Sequence, residues 1–336
     1  MKNNIFIIAE IAQAHDGSLG ILHSYIDALA ETGVDAVKFQ THIAEAESSE
    51  FEEFRVPFSY VDKTRYDYWK RMEFTPEQWE GIKEHCERKG LEFISSPFSI
   101  AAVELLEKLN VKRYKIGSGE VSNRLLLDRI AQTKKSTILS SGMSDYAELD
   151  QAVTSFQKQN IEYSILQCTT AYPTVPAQWG LSEITALKKR YQVPIGFSDH
   201  SGDIFACLAA TSLGAEILEF HAVFDRRMFG PDAKASLEIN EIKTLVEGVH
   251  QIRESLQTQV EKNDIEKYKE LKTMFGKSLC VNKNIQAGDI IRIQDLESKK
   301  PGNKGIPASR YQEILGKKTR VDLKQWDFIN FEQLEI

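Results

Sequence analysis

Eight short apolar runs, each followed by a longer amphipathic stretch, divide the first two-thirds of the chain. The runs are "IFIIAEI" (5–11), "VDAVKFQTH" (34–42), "LEFISSPF" (91–98), "RYKIGSGE" (113–120), "STILSSGM" (136–143), "YSILQCTTAYP" (163–173), "VPIGFSDH" (193–200) and "EILEFHAVF" (216–224). Rich in β-branched residues and too short for helices, they read as strands of a buried parallel sheet. Between them, "LGILHSYIDALAETG" (19–33) repeats apolar residues at three- and four-residue spacing and stops at a glycine; "SIAAVELLEKLN" (99–110) and "SDYAELDQAVTSFQKQN" (144–160) open on serine caps. A last helix is expected over 237–257. Eight strand–helix units in roughly 260 residues is the count and length of a TIM (β/α)8 barrel. A doubly wound sheet usually has fewer strands and often opens on a glycine-rich turn, and no G-x-G-x-x-G occurs.

The 336-residue chain exceeds what a single core usually supports, so a second, smaller domain is expected. The rhythm is lost after the last helix: a barrel domain over 1–257, a charged linker over 258–276, and a module over 277–336 with short strands in "KSLCVNK" and "DIIRI" and turns in "QAGD" and "KKPGNKG". One connection stands out. Residues 45–74 form a charged, aromatic insertion far longer than an ordinary βα loop, which suggests a lid or substrate wall with Tyr66, Tyr68 and Trp69 as candidate linings.

Composition excludes several classes. The net charge is −7, with Lys and Arg scattered, so no nucleic-acid footprint exists and an anionic ligand would need a local basic pocket. The opening apolar stretch is interrupted by Glu10 and too short for a signal peptide, and no run approaches a membrane span, so a cytoplasmic protein is expected. The four cysteines, Cys86, Cys168, Cys207 and Cys280, have no ligand spacing and read as reduced structural thiols.

Barrel catalysis gathers at the carboxyl ends of the strands. In order, those ends offer Glu10; Lys38 and Gln40; Ser95 and Ser96; Lys115, Ser118 and Glu120; Ser140 and Ser141; Thr169, Thr170 and Tyr172; Ser198, Asp199 and His200; Glu219 and His221. Two lysines pointing into one barrel leave positive charge uncompensated unless an anion sits between them. With the nearby hydroxyls they suggest a phosphate and carboxylate pocket; for either lysine alone, an ion pair with a neighbouring Glu is the competing reading. Two histidines at adjacent strand ends suggest an open divalent metal site able to polarise a carbonyl oxygen.

"AEIAQAHDGS", "AVKFQTH", "FISSPFS", "YKIGSGE", "LSSGM", "CTTAYPT", "GFSDHS", "GPD" and "KKPGNKG" occur in order over most of the chain. Together they resemble the sialic acid synthase family, the phosphoenolpyruvate-condensing nonulosonate synthases. The resemblance implies a TIM barrel joined to a C-terminal antifreeze-like (SAF, β-clip) domain, in a homodimer whose small domain caps the partner's barrel. It implies condensation of phosphoenolpyruvate with an open-chain N-acylated amino hexose, such as N-acetylmannosamine, with release of phosphate by C–O cleavage. Residue by residue, it implies phosphoenolpyruvate contacts from Lys38, Ser96, Lys115, Ser118, Ser140 and Ser198; sugar contacts from Gln40, Thr170, Tyr172 and Lys300; catalytic carboxylates Glu10, Glu120 and Asp232, with the proton carrier left open among them; and Mn2+ or Mg2+ on His200 and His221.

The chain departs from the family pattern at Ala14 and Thr170, where the family has asparagine, and at Phe220 and Lys300, where it has arginine. Lysine cannot reproduce a planar bidentate fork, so Lys300 opens the acceptor to differently substituted sugars, including the diamino precursors of legionaminic and pseudaminic acid. Two other readings are a related 3-deoxy-2-keto acid synthase using a phosphorylated aldose, for which no second basic cluster is evident, and a non-catalytic sugar-binding subunit, against which stand both histidines, both lysines and Glu10.

Overall fold

The structure, a computed structural model, describes residues 5–335. The outermost residues of the two expected domains, 1–4 and 336, lie outside the described residues, and with them the first part of the stretch read as too short for a leader. The chain divides into two compact units, one ending at Thr258 and the other starting at Gln259.

Eight parallel strands close the first unit into a barrel: β1 (Phe6–Glu10), β2 (Ala36–Thr41), β3 (Glu92–Pro97), β4 (Arg113–Ile116), β5 (Ser136–Ser140), β6 (Tyr163–Cys168), β7 (Ile195–Asp199) and β8 (Ile217–Val223). Each pairs with the next, and β8 returns to β1 with Glu10 opposite His221, so no sheet edge remains. A two-residue strand, β9 (Leu237–Glu238), pairs in parallel beside the end of β8. The connecting helices are α1 (Leu19–Ala30), α2 (Ala44–Glu47), α3 (Arg65–Met72), α4 (Pro76–Arg88), α5 (Ile100–Lys108), α6 (Arg124–Gln132), α7 (Tyr146–Lys158), α8 (Ser182–Tyr191), α9 (Phe205–Ser212) and α10 (Ile239–Gln257). Ser18 and Ser99 cap α1 and α5; α7 is capped by Asp145 rather than by the expected Ser144.

Residue alternation along the strands separates two cores. Outward-facing residues such as Ile7, Val37, Phe93, Leu139, Ile165 and Leu218 pack against helix residues including Leu22, Ile26 and Trp79. Ile8, Ala36, Ile94, Ile138, Leu166 and Ile217 form a separate cluster inside the barrel. Gly196 completes this layer, because a Cβ there would meet the Ile217 carbonyl oxygen at 2.4 Å and Leu166 Cδ2 at 2.5 Å. The period of two then puts Glu10, Lys38, Ser96, Ser140, Cys168, Ser198 and Glu219 in the next layer up, on a floor of packed aliphatic side chains.

Several expected runs are longer than the strands they contain. β4 stops at Ile116 and Ser118–Glu120 forms a 3-10 turn, while Thr170 and Tyr172 lie beyond β6, because polar residues past the barrel rim leave the hydrogen-bonded ladder. The 45–74 insertion is structured by α2, α3 and a cluster of Ala44, Tyr68, Trp69 and Met72, against which Phe54, Phe58 and Tyr66 pack.

The second unit has one more helix, α11 (Lys269–Phe275), within the segment expected as linker, and an antiparallel pair, β10 (Ser278–Val281) with β11 (Leu296–Lys299). Isolated bridges such as Cys280 to Phe328 and Ile285 to Leu323 tie its loops over a core of Leu279, Val281, Ile285, Ile291, Ile306, Ile314, Leu323, Ile329 and Leu334. The four cysteines are free and buried.

Candidate active site

Above the aliphatic floor the barrel opens into a cavity of about 420 Å3. Every barrel residue to which the resemblance gives a role lines it: Glu10, Lys38, Gln40, Ser96, Lys115, Ser118, Glu120, Ser140, Thr170, Tyr172, Ser198, His200, His221 and Asp232; of the other strand-end residues Glu219 lines it as well, whereas Ser95, Ser141, Thr169 and Asp199 do not. Lys300 belongs to the second unit.

At the base sits a buried charge network. Lys38 Nζ lies 2.8 Å from Glu10 Oε2 and 3.0 Å from Glu219 Oε1, and Lys115 Nζ lies 3.0 Å from the same Glu219 oxygen. Ser198 Oγ donates to that oxygen as well, at 3.0 Å. The lysines are therefore not uncompensated in the protein alone, as strand geometry suggested; the anion between them is Glu219. Burial acts against the Glu10 carboxylate, but Lys38, His221 and Lys115 together hold its carboxyl far below the usual range. Burial likewise opposes the Lys38 charge, yet Glu10 and Glu219 keep its ammonium above the ordinary lysine value. For Lys115 burial wins over Glu219, and its ammonium is the easier of the two to deprotonate. Two buried oxygens here, Ser140 Oγ and Glu219 Oε2, have no hydrogen-bond partner among the described residues, which leaves them available to a ligand or to water.

The two histidines lie side by side above this network, His200 just past β7 and His221 within β8, with ring centroids 5.3 Å apart. His200 Nδ1 lies 3.0 Å from the Thr169 carbonyl oxygen, which fixes that nitrogen as the donor; burial opposes a charge on the ring, but the neighbouring Cys168 thiol and the Thr169 carbonyl raise its pKa, so a metal there would have to displace a proton. His221 Nε2 is 3.3 Å from Glu10 Oε2, and burial lowers its pKa against the pull of Glu10, which favours the unprotonated ring a metal requires. Two neighbouring imidazoles beside the Glu10 carboxylate are a donor set that fits a divalent cation. Among the described residues, no group of three or more His, Cys, Asp or Glu side chains is arranged to hold a metal alone.

The mouth is built from loops. Gly142 permits close approach of three polar groups: a Cβ there would come within 2.6 Å of both Ser118 Oγ and Thr170 Oγ1 and 3.0 Å of Cys168 Sγ. Burial raises the carboxyl of Glu120, whose Oε2 accepts from Asn123 Nδ2 at 2.7 Å. From the insertion come Glu47, Glu52, Arg55, Arg65 and Trp69. The expectation for Tyr66 and Tyr68 is corrected: neither lines the cavity, because the helical repeat turns Arg65 and Trp69 inward together and Tyr68 with Met72 into the insertion's own core. Arg55 stacks its guanidinium 4.3 Å over the Tyr172 ring and bonds Asp232 Oδ1 at 3.0 Å, so the insertion closes one side of the cavity. Glu219 stands among the strand-end residues without a role, and His42 continues the two-residue period of Lys38 and Gln40; Gln13, Glu47, Arg55 and Arg65 carry no signal in the strand pattern.

Comparison with known proteins agrees with this architecture. Residues 25–261 match the model of the NeuB family and residues 276–334 that of the SAF domain. The chain is 33% identical over 337 residues to the N,N'-diacetyllegionaminic acid synthase of Campylobacter jejuni, covering 98% of this chain and 99% of that one. It is 33% identical to a pseudaminic acid synthase of the same species, over 96% of this chain and 94% of the other. The crystal structure of an N-acetylneuraminic acid synthetase from Leptospira borgpetersenii, in complex with citrate, superposes with a TM-score of 0.70 at 31% identity, covering 80% of this chain and 90% of that one. With a family model spanning most of the barrel and full-length relatives above 30% identity, the chain belongs to the NeuB family and carries a SAF domain at its carboxyl end.

Proposed function

We propose that the protein condenses phosphoenolpyruvate with an open-chain N-acylated amino hexose to give a nonulosonic acid and phosphate. The observation that carries this reading is the confluence, in one cavity, of two buried lysines ringed by hydroxyls with a pair of imidazoles beside Glu10. Lys38, Lys115, Ser96, Ser118, Ser140 and Ser198 hold the phosphate and carboxylate of phosphoenolpyruvate; Gln40, Thr170 and Tyr172 face the sugar. Mn2+ or Mg2+ on His200 and His221 would supply Lewis acidity toward the acceptor's aldehyde oxygen.

The chain's own groups do the rest. The enol carbon of phosphoenolpyruvate bonds to the aldehyde carbon, and Glu120, whose carboxyl is raised by burial, gives the aldehyde oxygen its proton. Positive charge develops on the carbon bearing phosphate, where the ionised Glu10 stabilises it. Water adds there; one of its protons returns to Glu120 and the other leaves with phosphate as the C–O bond breaks. Asp232, tied to Arg55, orients the acceptor instead of carrying protons.

An unphosphorylated acceptor suits the mouth best. Among the described residues its two arginines both lie by carboxylates, Arg55 on Asp232 and Arg65 3.4 Å from Glu52, so a second phosphate would have to compete with a carboxylate for either one. We also propose a homodimer in which the SAF domain of one copy caps the other's barrel and brings Lys300 to the acyl group. The test is phosphate release from phosphoenolpyruvate with N-acetylmannosamine, its 6-phosphate and diamino hexoses, each with and without Mn2+. Turnover of an unphosphorylated sugar only with metal is expected. Preference for the phosphorylated sugar overturns the acceptor reading, and no turnover with any of them favours a binding subunit.

A further inference from the structure

His42 lies just past β2, buried, with its ring held between Trp69 (centroids 3.9 Å apart, 21° between planes) and Phe98 (4.6 Å, 12°). Its Nδ1 is 2.5 Å from Glu47 Oε1. The other Glu47 oxygen accepts from the Ile43 backbone N–H at 3.3 Å, so the carboxylate is fixed at both ends. A carboxylate can only accept, hence Nδ1 carries the proton. The opposite nitrogen, Nε2, is 3.1 Å from Gln13 Nε2. That amide has two N–H groups: the second goes to Gln40 Oε1 at 2.5 Å. With its oxygen so engaged, Gln40 can only turn its own N–H toward Glu10, and it donates to Glu10 Oε1 at 2.7 Å. Gln40 Oε1 is also 3.1 Å from His42 Nε2, so the two acceptors face each other across the Gln13 amide that serves both.

The donor count runs one way from the insertion to the barrel floor, through Glu47, His42, Gln13 and Gln40 to Glu10. Reversing the Gln40 amide would set its oxygen against the Glu10 carboxylate, two acceptors with no proton between them. We propose that His42, oriented by Glu47, is a positioning residue: through Gln13 it locks the Gln40 amide so that Gln40 donates to Glu10 and holds that carboxylate where the cationic carbon forms. This rests on the role given to Glu10 above. The chain also ties catalysis to the insertion, since Trp69, which stacks on His42, reaches the cavity from α3 and donates to Glu52 at 3.1 Å.

The experiment compares His42→Phe, which keeps a ring between Trp69 and Phe98, with Glu47→Leu and the conservative Glu47→Gln, whose amide oxygen still accepts from Nδ1. Misplacing a group at the reacting centre costs about 10- to 100-fold. His42→Phe and Glu47→Leu should lower kcat by that factor with KM for phosphoenolpyruvate within about threefold, and Glu47→Gln, which gives up the Ile43 N–H bond but keeps an acceptor for Nδ1, should lose less than Glu47→Leu. Unchanged kcat in His42→Phe overturns the proposal, as does an equal loss in Glu47→Gln, which would mark a packing role. Histidine 15N spectra of the intact protein read the same chain without turnover: a ring protonated on Nδ1 and bare on Nε2, lost in His42→Phe, is expected, and a ring bare on Nδ1 overturns it. If the parent turned over no sugar, the assigned reaction would fall while these spectra would still report on the His42 arrangement.

Discussion

Glu219→Gln separates the role of the lysines as a structural ion pair from their role as an anion cradle. The Glu219 side chain is 2% exposed, and one of its oxygens serves Lys38, Lys115 and Ser198, each at 3.0 Å. In the variant Lys38 keeps Glu10, but Lys115 loses the only carboxylate within salt-bridge distance among the described residues. Removing one member of a buried ion pair costs about 3–5 kcal/mol, which for a barrel of this size lowers Tm by roughly 10 °C. The vacancy in charge also makes an added anion more welcome, because phosphoenolpyruvate enters the parent site against two carboxylates and the variant site against one. If a bound anion restores about 2 kcal/mol of the loss, its Kd falls roughly 30-fold. Calorimetry with increasing phosphoenolpyruvate, and separately with inorganic phosphate, should therefore show a larger stabilisation in Glu219→Gln than in the parent. Equal shifts in the two proteins would refute the reasoning, since the anion would then bind away from the lysines that Glu219 bridges.

Other consequences follow from the same geometry. Burial, with His42 and Arg71, pushes His15 down to about 3, while the unfolded chain keeps it near 6.5, so stability present above pH 6.5 is lost as pH falls toward 3. The loss is about 3 kcal/mol at pH 4.5, and His15→Asn, which keeps an acceptor for the Gly17 N–H, should flatten the pH–Tm curve in that window; an unchanged curve assigns the acid lability elsewhere. Arg55→Ala releases the insertion from Tyr172 and Asp232 and should raise KM for the acceptor about 3- to 30-fold with KM for phosphoenolpyruvate unchanged, measured by steady-state kinetics. Gly142→Ala drives Ser118 and Thr170 apart and should weaken phosphoenolpyruvate binding at least tenfold by calorimetry, with Tm changing less than in Glu219→Gln. Titration of the apoprotein with Mn2+ should give one site per chain, absent in His200→Ala; retained binding would move the metal to other ligands.

The barrel was legible because each strand writes its two faces into alternate residues. Ile8 and Glu10, Ala36 and Lys38, and Ile217 and Glu219 each place an aliphatic residue on the floor and a functional group one step above it. The strand ends thus named the site's inward groups, but alternation says nothing about which neighbours pair across the cavity. For that reason the lysines read as an open cationic pocket, although Glu219 joins them. The insertion was legible in length and charge only. Its inward residues are set by the helical period of α3, which favours Arg65 and Trp69 over Tyr68, and by a loop that carries Arg55 to Tyr172 across more than a hundred residues of sequence.

The most direct measurement is a crystal structure grown with phosphoenolpyruvate and Mn2+. The account predicts phosphate density within hydrogen-bond distance of the Lys38 and Lys115 ammonium groups, and an anomalous manganese peak on the His200 and His221 rings in the same cavity. Phosphoenolpyruvate or manganese bound outside the barrel mouth, with those four side chains untouched, would contradict it.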